Sequence, residues 1–130
     1  MQKSQYVIKI QGTIDMTHPT LEEPTLDELN ELLDGDLDAI LTPFLEQLPK
    51  LINDILLGLE TQQAPTIFHA AHTLKSSAAN VGGLQLSETS RQIEALAKAG
   101  TLDGIAPLAA SLDKNATDLK QAISNYVKHQ

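Results

Sequence analysis

Apolar residues recur at alternating intervals of three and four along most of this chain, and that period admits little but amphipathic α-helix. The longest run is Leu37, Leu41, Phe44, Leu48, Ile52, Ile55 and Leu59. Three more follow: Ile67, Ala71, Leu74, Ala78 and Val81; Leu86, Ile93, Leu96 and Ala97; then Ile105, Leu108, Leu112, Ala116, Leu119, Ile123 and Tyr126. Aromatic residues make up only 3% of the 130, so Leu, Ile and Ala must fill these stripes, and they favour helix over strand. Each stripe covers one face, so each helix buries itself only against another, and short connections make antiparallel neighbours. The expected fold is all-α: an up-and-down four-helix bundle with an additional short N-terminal helix.

Punctuation sets the boundaries. Thr25 and Glu28 form a T-x-x-E capping box, which predicts a first helix over 26–33 stopped at Asp34-Gly35. The second spans 36–61 and contains Pro43 and Pro49, where a kink or break is expected. Pro65 suits the first turn of a third helix over 65–81, which Gly82-Gly83 ends. The fourth and fifth cover 84–99 and 104–128. Residues 1–24 read as a leader or linker, with YVIKI a weak strand and HPTLEEPT proline-punctuated; residues 25–130 read as the bundle domain.

Several function classes fall away. There is no cysteine, hence no disulfide, thiolate metal site or cysteine nucleophile. No apolar run reaches about 18 residues, so no membrane span is expected, and MQKSQYVIKIQG lacks a signal peptide's apolar core. A formal net charge of −8 argues against nucleic acid and anionic lipid. The charge is uneven: residues 25–60 carry nine acids and one base, Lys50, whereas 66–99 carry two acids, Glu88 and Glu94, and three bases, Lys75, Arg91 and Lys98. A site for a small anion belongs in the second stretch.

That stretch holds HAAHTLKSSAANVGG, from His69 to Gly83. On the third helix's wheel the core stripe passes through Ala71 and Leu74, so His72 leans outward. Lys75 and Ser76 are its i+3 and i+4 neighbours and Ala79 follows at i+7. A neutral imidazole is a nucleophile near pH 7, and its attack on a phosphoryl donor leaves a phosphoimidazole whose oxygens Lys75 can neutralise. The small residues Ser76 and Ala79 leave room for a second protein to approach. No GxxxxGK[ST] loop or acidic Mg²⁺ cluster accompanies the motif, so a partner must bring the rest of the machinery. His69 has no lysine at its own i+3 position and reads as a structural or solvent-facing neighbour. The His69/His72 pair supplies only two ligands, too few for a metal site.

The run His72-Thr73-Leu74-Lys75-Ser76-Ser77-Ala78-Ala79-Asn80-Val81-Gly82 resembles the signature of histidine-containing phosphotransfer (HPt) domains, close to H-x-L-K-G-S/A-S/A-x-x-L/V-G. LTPFLEQLPKLINDI is similar to that family's second helix, internal proline included. The resemblance covers about 25–128 and implies a phosphocarrier. His72 would be phosphorylated by the aspartyl phosphate of a response-regulator receiver domain and would hand the group to another receiver. Lys75 would be the charge partner. There would be no ATP site and no cofactor on this chain, with Mg²⁺ on the receiver. It further implies a cytoplasmic module in two-component signalling, free-standing or part of a hybrid sensor histidine kinase.

Two positions depart from the pattern. Ser76 stands where the family usually has Gly. Glu94 stands on the fourth helix where some members have Gln near the imidazole; a carboxylate there can accept Nδ1–H and leave Nε2 as nucleophile, yet repels a phosphoryl group. Lys98, one turn on, is the basic residue expected to offset that repulsion. Leu37, Ile40, Leu41 and Phe44 are either core or an apolar docking patch. Two other readings compete: a helical interaction module that binds receivers without carrying phosphate, and an enzyme, for which no G-x-S-x-G or H-E-x-x-H pattern provides a site.

Overall fold

A computed structural model describes residues 18–130, which form five helices and, among those residues, no strand: α1 Glu23–Leu32, α2 Asp38–Glu60, α3 Ala64–Asn80, α4 Leu84–Lys98 and α5 Ile105–Lys128. The expected strand at YVIKI, and the leader as far as residue 17, lie outside the described residues. α2 packs on α3, α3 on α4, α4 on α5, and α5 returns to α2, closing an up-and-down four-helix bundle. The sequence stripes are its interior. Ile67, Ala71, Leu74 and Ala78 of α3 are fully buried, as are Ile55 of α2, Ile93 of α4, and Ile105, Leu112 and Leu119 of α5. Burying a side chain of Leu or Ile size contributes about 1.5–3 kcal/mol, so these stripes are the bundle's main source of stability.

Alternation of small and large residues sets how closely the helices approach. α3 offers Ala70, Ala71 and Ala78 to its neighbours, all buried. On α2, Gly58 is buried where a Cβ would stand 2.7 Å from Ile67 Cγ1, so this glycine lets α2 meet α3.

α1 lies across the end of the bundle where α3 turns into α4 and α5 finishes. Leu26 is fully buried there, and the Tyr126 hydroxyl donates to Asp27. The chain leading into α1 is pinned to the α3–α4 turn: Glu22 N–H donates to Gly82 O at 2.8 Å and Gln85 N–H to Pro19 O at 3.0 Å.

Two local expectations are corrected. α1 starts at Glu23, not 26, and Thr25 is no N-cap: it lies inside the first turn, where its hydroxyl donates to Glu22 Oε1 at 2.7 Å. Pro24 in the first turn presets the helical φ, and the Glu22–Gly82 bond fixes where the chain enters, so together they outweigh the capping-box pattern. The break allowed for at Pro43 and Pro49 does not occur: α2 is one helix through both. Both prolines are exposed, so the carbonyls they leave without a helical donor face the wet side of the helix.

Candidate functional site

α3 presents His72 outward because its neighbours Ala71 and Leu74 are locked into the core at 0% exposure. The His72 side chain is 56% exposed, whereas that of Glu94 on α4 is only 13% exposed. The two meet: His72 Nδ1 lies 2.6 Å from Glu94 Oε2. The carboxylate's other oxygen, Oε1, takes Lys75 Nζ at 2.7 Å. One carboxylate thus bridges the two residues that sit a helical turn apart on α3.

The bridge determines which imidazole nitrogen is available. A carboxylate only accepts, so Nδ1 carries the proton and donates to Oε2. In the neutral ring the lone pair then resides on Nε2. Burial raises the affinity of the Glu94 carboxyl for a proton, but the hydrogen bonds and charges of Lys75 and His72 together outweigh it and hold the group below the usual carboxylate range. Glu94 is therefore an anion at neutral pH.

Packing holds the imidazole as well. The Phe68 ring, one turn before His72, lies nearly parallel to it, with centroids 5.8 Å apart and an interplanar angle of 11°. Phe68 is itself partly buried against the core, and His69 meets it edge-on at 5.6 Å and 74°. The turn around Lys75 is tied to α4 by the Ser87 hydroxyl, which donates to Lys75 O at 2.8 Å.

The structure brings together His72, Lys75 and Glu94, with Ser76 and Ala79 exposed farther along α3. Lys98 is not part of this cluster. It lines an apolar hollow with Pro65, Phe68, His69 and Ala97, and the cation on Glu94 is Lys75. Arg91 is engaged by Glu88, which it holds at 2.6 Å. Of the four apolar residues at the head of α2, Leu37 just before it and Leu41 and Phe44 within it are core; Ile40 alone is half-buried, beside a shallow cavity shared with Pro43 and Ser77. Phe68 is the residue that sequence reasoning missed. Its signal was an aromatic at i−4 from the histidine in a chain with only two phenylalanines. Among the described residues no group of three His, Cys, Asp or Glu side chains is placed to hold a metal ion, and no helix is long and apolar enough to cross a membrane.

The family model of the Hpt domain matches residues 39–125, from the start of α2 almost to the end of α5. The crystal structure of histidine-containing phosphotransfer protein B from Pseudomonas aeruginosa is similar in fold, with a TM-score of 0.80 at 19% sequence identity, over 86% of this chain and 97% of that one. No curated protein matches the chain significantly.

Proposed function

The chain belongs to the Hpt domain family, and from that premise we propose that it is a histidine phosphocarrier, taking a phosphoryl group from the aspartyl phosphate of a receiver domain onto Nε2 of His72 and passing it to a second receiver. The observation that best supports this reading is the bridge at Glu94. It occupies Nδ1 from the protein side and leaves Nε2 on an imidazole that is more than half exposed.

In the proposed step the Nε2 lone pair attacks phosphorus. An N–P bond forms as the P–O bond to the receiver's aspartate breaks, and the aspartate leaves as a carboxylate. The Nδ1 proton stays in place, so the ring carries positive charge as the bond forms, and Glu94 offsets it through the 2.6 Å hydrogen bond. Lys75, about a third exposed, is the cation within reach of the new phosphoryl oxygens and must share itself between them and Glu94. Ser76 and Ala79 on the same exposed face leave the partner space to bring its aspartate close. Mg²⁺ belongs to the receiver, and the working place of such a relay is the cytoplasm.

The test uses a receiver domain phosphorylated on its aspartate, with Mg²⁺, mixed with wild type, His69→Gln and His72→Gln. Wild type and His69→Gln are expected to take up label that is acid-labile and base-stable and to release it to a second receiver. His72→Gln is expected to take up none while keeping its fold. Binding of receivers without label would instead favour a non-phosphorylated interaction module.

A further inference from the structure

Transfer in line requires the Nε2 lone pair to hold one direction, and the Glu94 hydrogen bond alone does not impose it. His72 has two soft side-chain torsions. The helix confines the first to staggered wells, but the second is broad for an imidazole. A hydrogen bond from Nδ1 to one carboxylate oxygen restrains the ring at one edge only, and rotation about the second torsion swings the N–H off that oxygen and loosens its hold on the proton.

We propose that Phe68 is a positioning residue for phosphoryl transfer: its ring, stacked on His72, sets the imidazole plane and thereby the direction of the Nε2 lone pair. This rests on the carrier reading above. Three features carry it. The rings are 11° from parallel, an orientation that close packing alone does not require. Phe68 stands one helical turn from His72, so the backbone of α3 sets the spacing between the two. Phe68 is also a firm platform, partly buried against the core and met edge-on by His69. Glu94 from α4 and Phe68 from α3 thus constrain the same ring in two different ways, one at an edge and one at a face. The contact gains strength as the reaction proceeds, because the face of an aromatic ring attracts the positive charge that the imidazole acquires when Nε2 bonds to phosphorus.

The deciding variants are Phe68→Leu, which keeps apolar bulk but has no ring face, and Phe68→Tyr, which keeps the face. Two readouts apply. The first is the pair of His72 ring-nitrogen NMR shifts in the free protein, which report how fully the proton stays on Nδ1. The second is the transfer rate from a phosphorylated receiver at saturating receiver concentration. Phe68→Leu is expected to move the two nitrogen shifts toward each other and to lower the saturating rate about 10-fold, as a misdirected nucleophile does. Its half-saturating concentration should not change, and Phe68→Tyr should restore both readouts. Wild-type shifts and a wild-type saturating rate in Phe68→Leu would overturn the proposal. So would a defect confined to the half-saturating concentration, which would make Phe68 a docking contact. If wild type itself accepts no phosphoryl group, the carrier reading fails, while the nitrogen shifts, measured without any donor, still decide what Phe68 does to the ring.

Discussion

Gly82 closes the HPt-like run, and its replacement by Ala isolates how the N-terminal segment is held to the bundle. Gly82 has φ +84°, a left-handed conformation that costs an L-residue about 1–2 kcal/mol. The loss of unfolded-state freedom on adding a methyl returns about 0.4–1 kcal/mol. Conformation alone therefore costs about 1 kcal/mol. Gly35, at φ +87°, has nothing within 4 Å of an added Cβ, so Gly35→Ala should show that cost and no more. At Gly82 the Cβ would stand 2.8 Å from Glu22 O and 3.0 Å from Thr25 Cβ. Relief requires the Glu22 segment to withdraw, which breaks the Glu22 N–H to Gly82 O bond, worth about 1 kcal/mol, and loosens the packing around Leu26. Gly82→Ala should then cost about 2–3 kcal/mol in all. At roughly 4 °C per kcal/mol for a domain of this size, that is about 8–12 °C in Tm, against about 4 °C for Gly35→Ala. Thermal and urea unfolding followed by far-ultraviolet circular dichroism measure both. Equal losses for the two variants would refute the close approach of residues 22–25 to the α3–α4 turn.

Three further predictions follow from the contacts. Tyr126→Phe should destabilise by about 1 kcal/mol in urea unfolding, because it removes the donor to Asp27 that ties α5 to α1. Burial and the Asp27 carboxylate push the Tyr126 phenol up to about 12, so the stability it adds is complete below pH 10 and fades as pH rises toward 12; the wild type minus Tyr126→Phe difference should shrink over that window. On the acid side, hydrogen bonding to Arg91 lowers Glu88 to about 2, and Glu94 is also held down, so the unfolded state binds more protons than the folded one as pH falls. The stability these carboxylates add is present above about pH 4.5 and lost toward pH 2, and a Glu88→Gln/Glu94→Gln variant should unfold along a shallower acid limb. Lys75→Ala should lower phosphoryl transfer by about 10-fold or more, as loss of a charge-stabilising group does. Its Tm should change by only a few degrees, since a partly exposed ion pair contributes about 0–1 kcal/mol.

The bundle was legible because its helices advertise one face each. The stripe from Ile67 to Val81 is buried residue for residue, and the glycines after Asn80 and Lys98 mark real ends. What the pattern misjudged depends on partners far away in the chain. Thr25-x-x-Glu28 is a sound local start signal, but Glu22 bonds to Gly82, sixty residues on, and the helix begins earlier. Pro43 and Pro49 are local breakers that an exposed helix face tolerates. Asn115 and Ser90 are buried polar residues that no apolar stripe predicts; each is satisfied from within, Asn115 Oδ1 by Thr89 and the Ser90 hydroxyl by Leu86 O. In the candidate site, His72 and Lys75 stood out by their spacing on one helix, whereas Glu94 was singled out only through the resemblance to the HPt family, at a position where some members have Gln. Lys98 lies in the hollow beside Phe68 and His69, while the cation that meets Glu94 is Lys75, reaching across the α3–α4 interface. The Phe68 contact was within reach at i−4, yet an apolar residue at that spacing ordinarily means core.

The most direct measurement maps the phosphoryl group itself. The protein is phosphorylated by a charged receiver, kept at alkaline pH to preserve the N–P bond, and examined by site-resolved mass spectrometry together with phosphorus–nitrogen NMR correlation. A single modified residue is expected, His72, with phosphorus bonded to Nε2 and Nδ1 still protonated against Glu94. Phosphate on His69 or on Nδ1 of His72, or an unmodified protein that nevertheless binds the receiver, would contradict it.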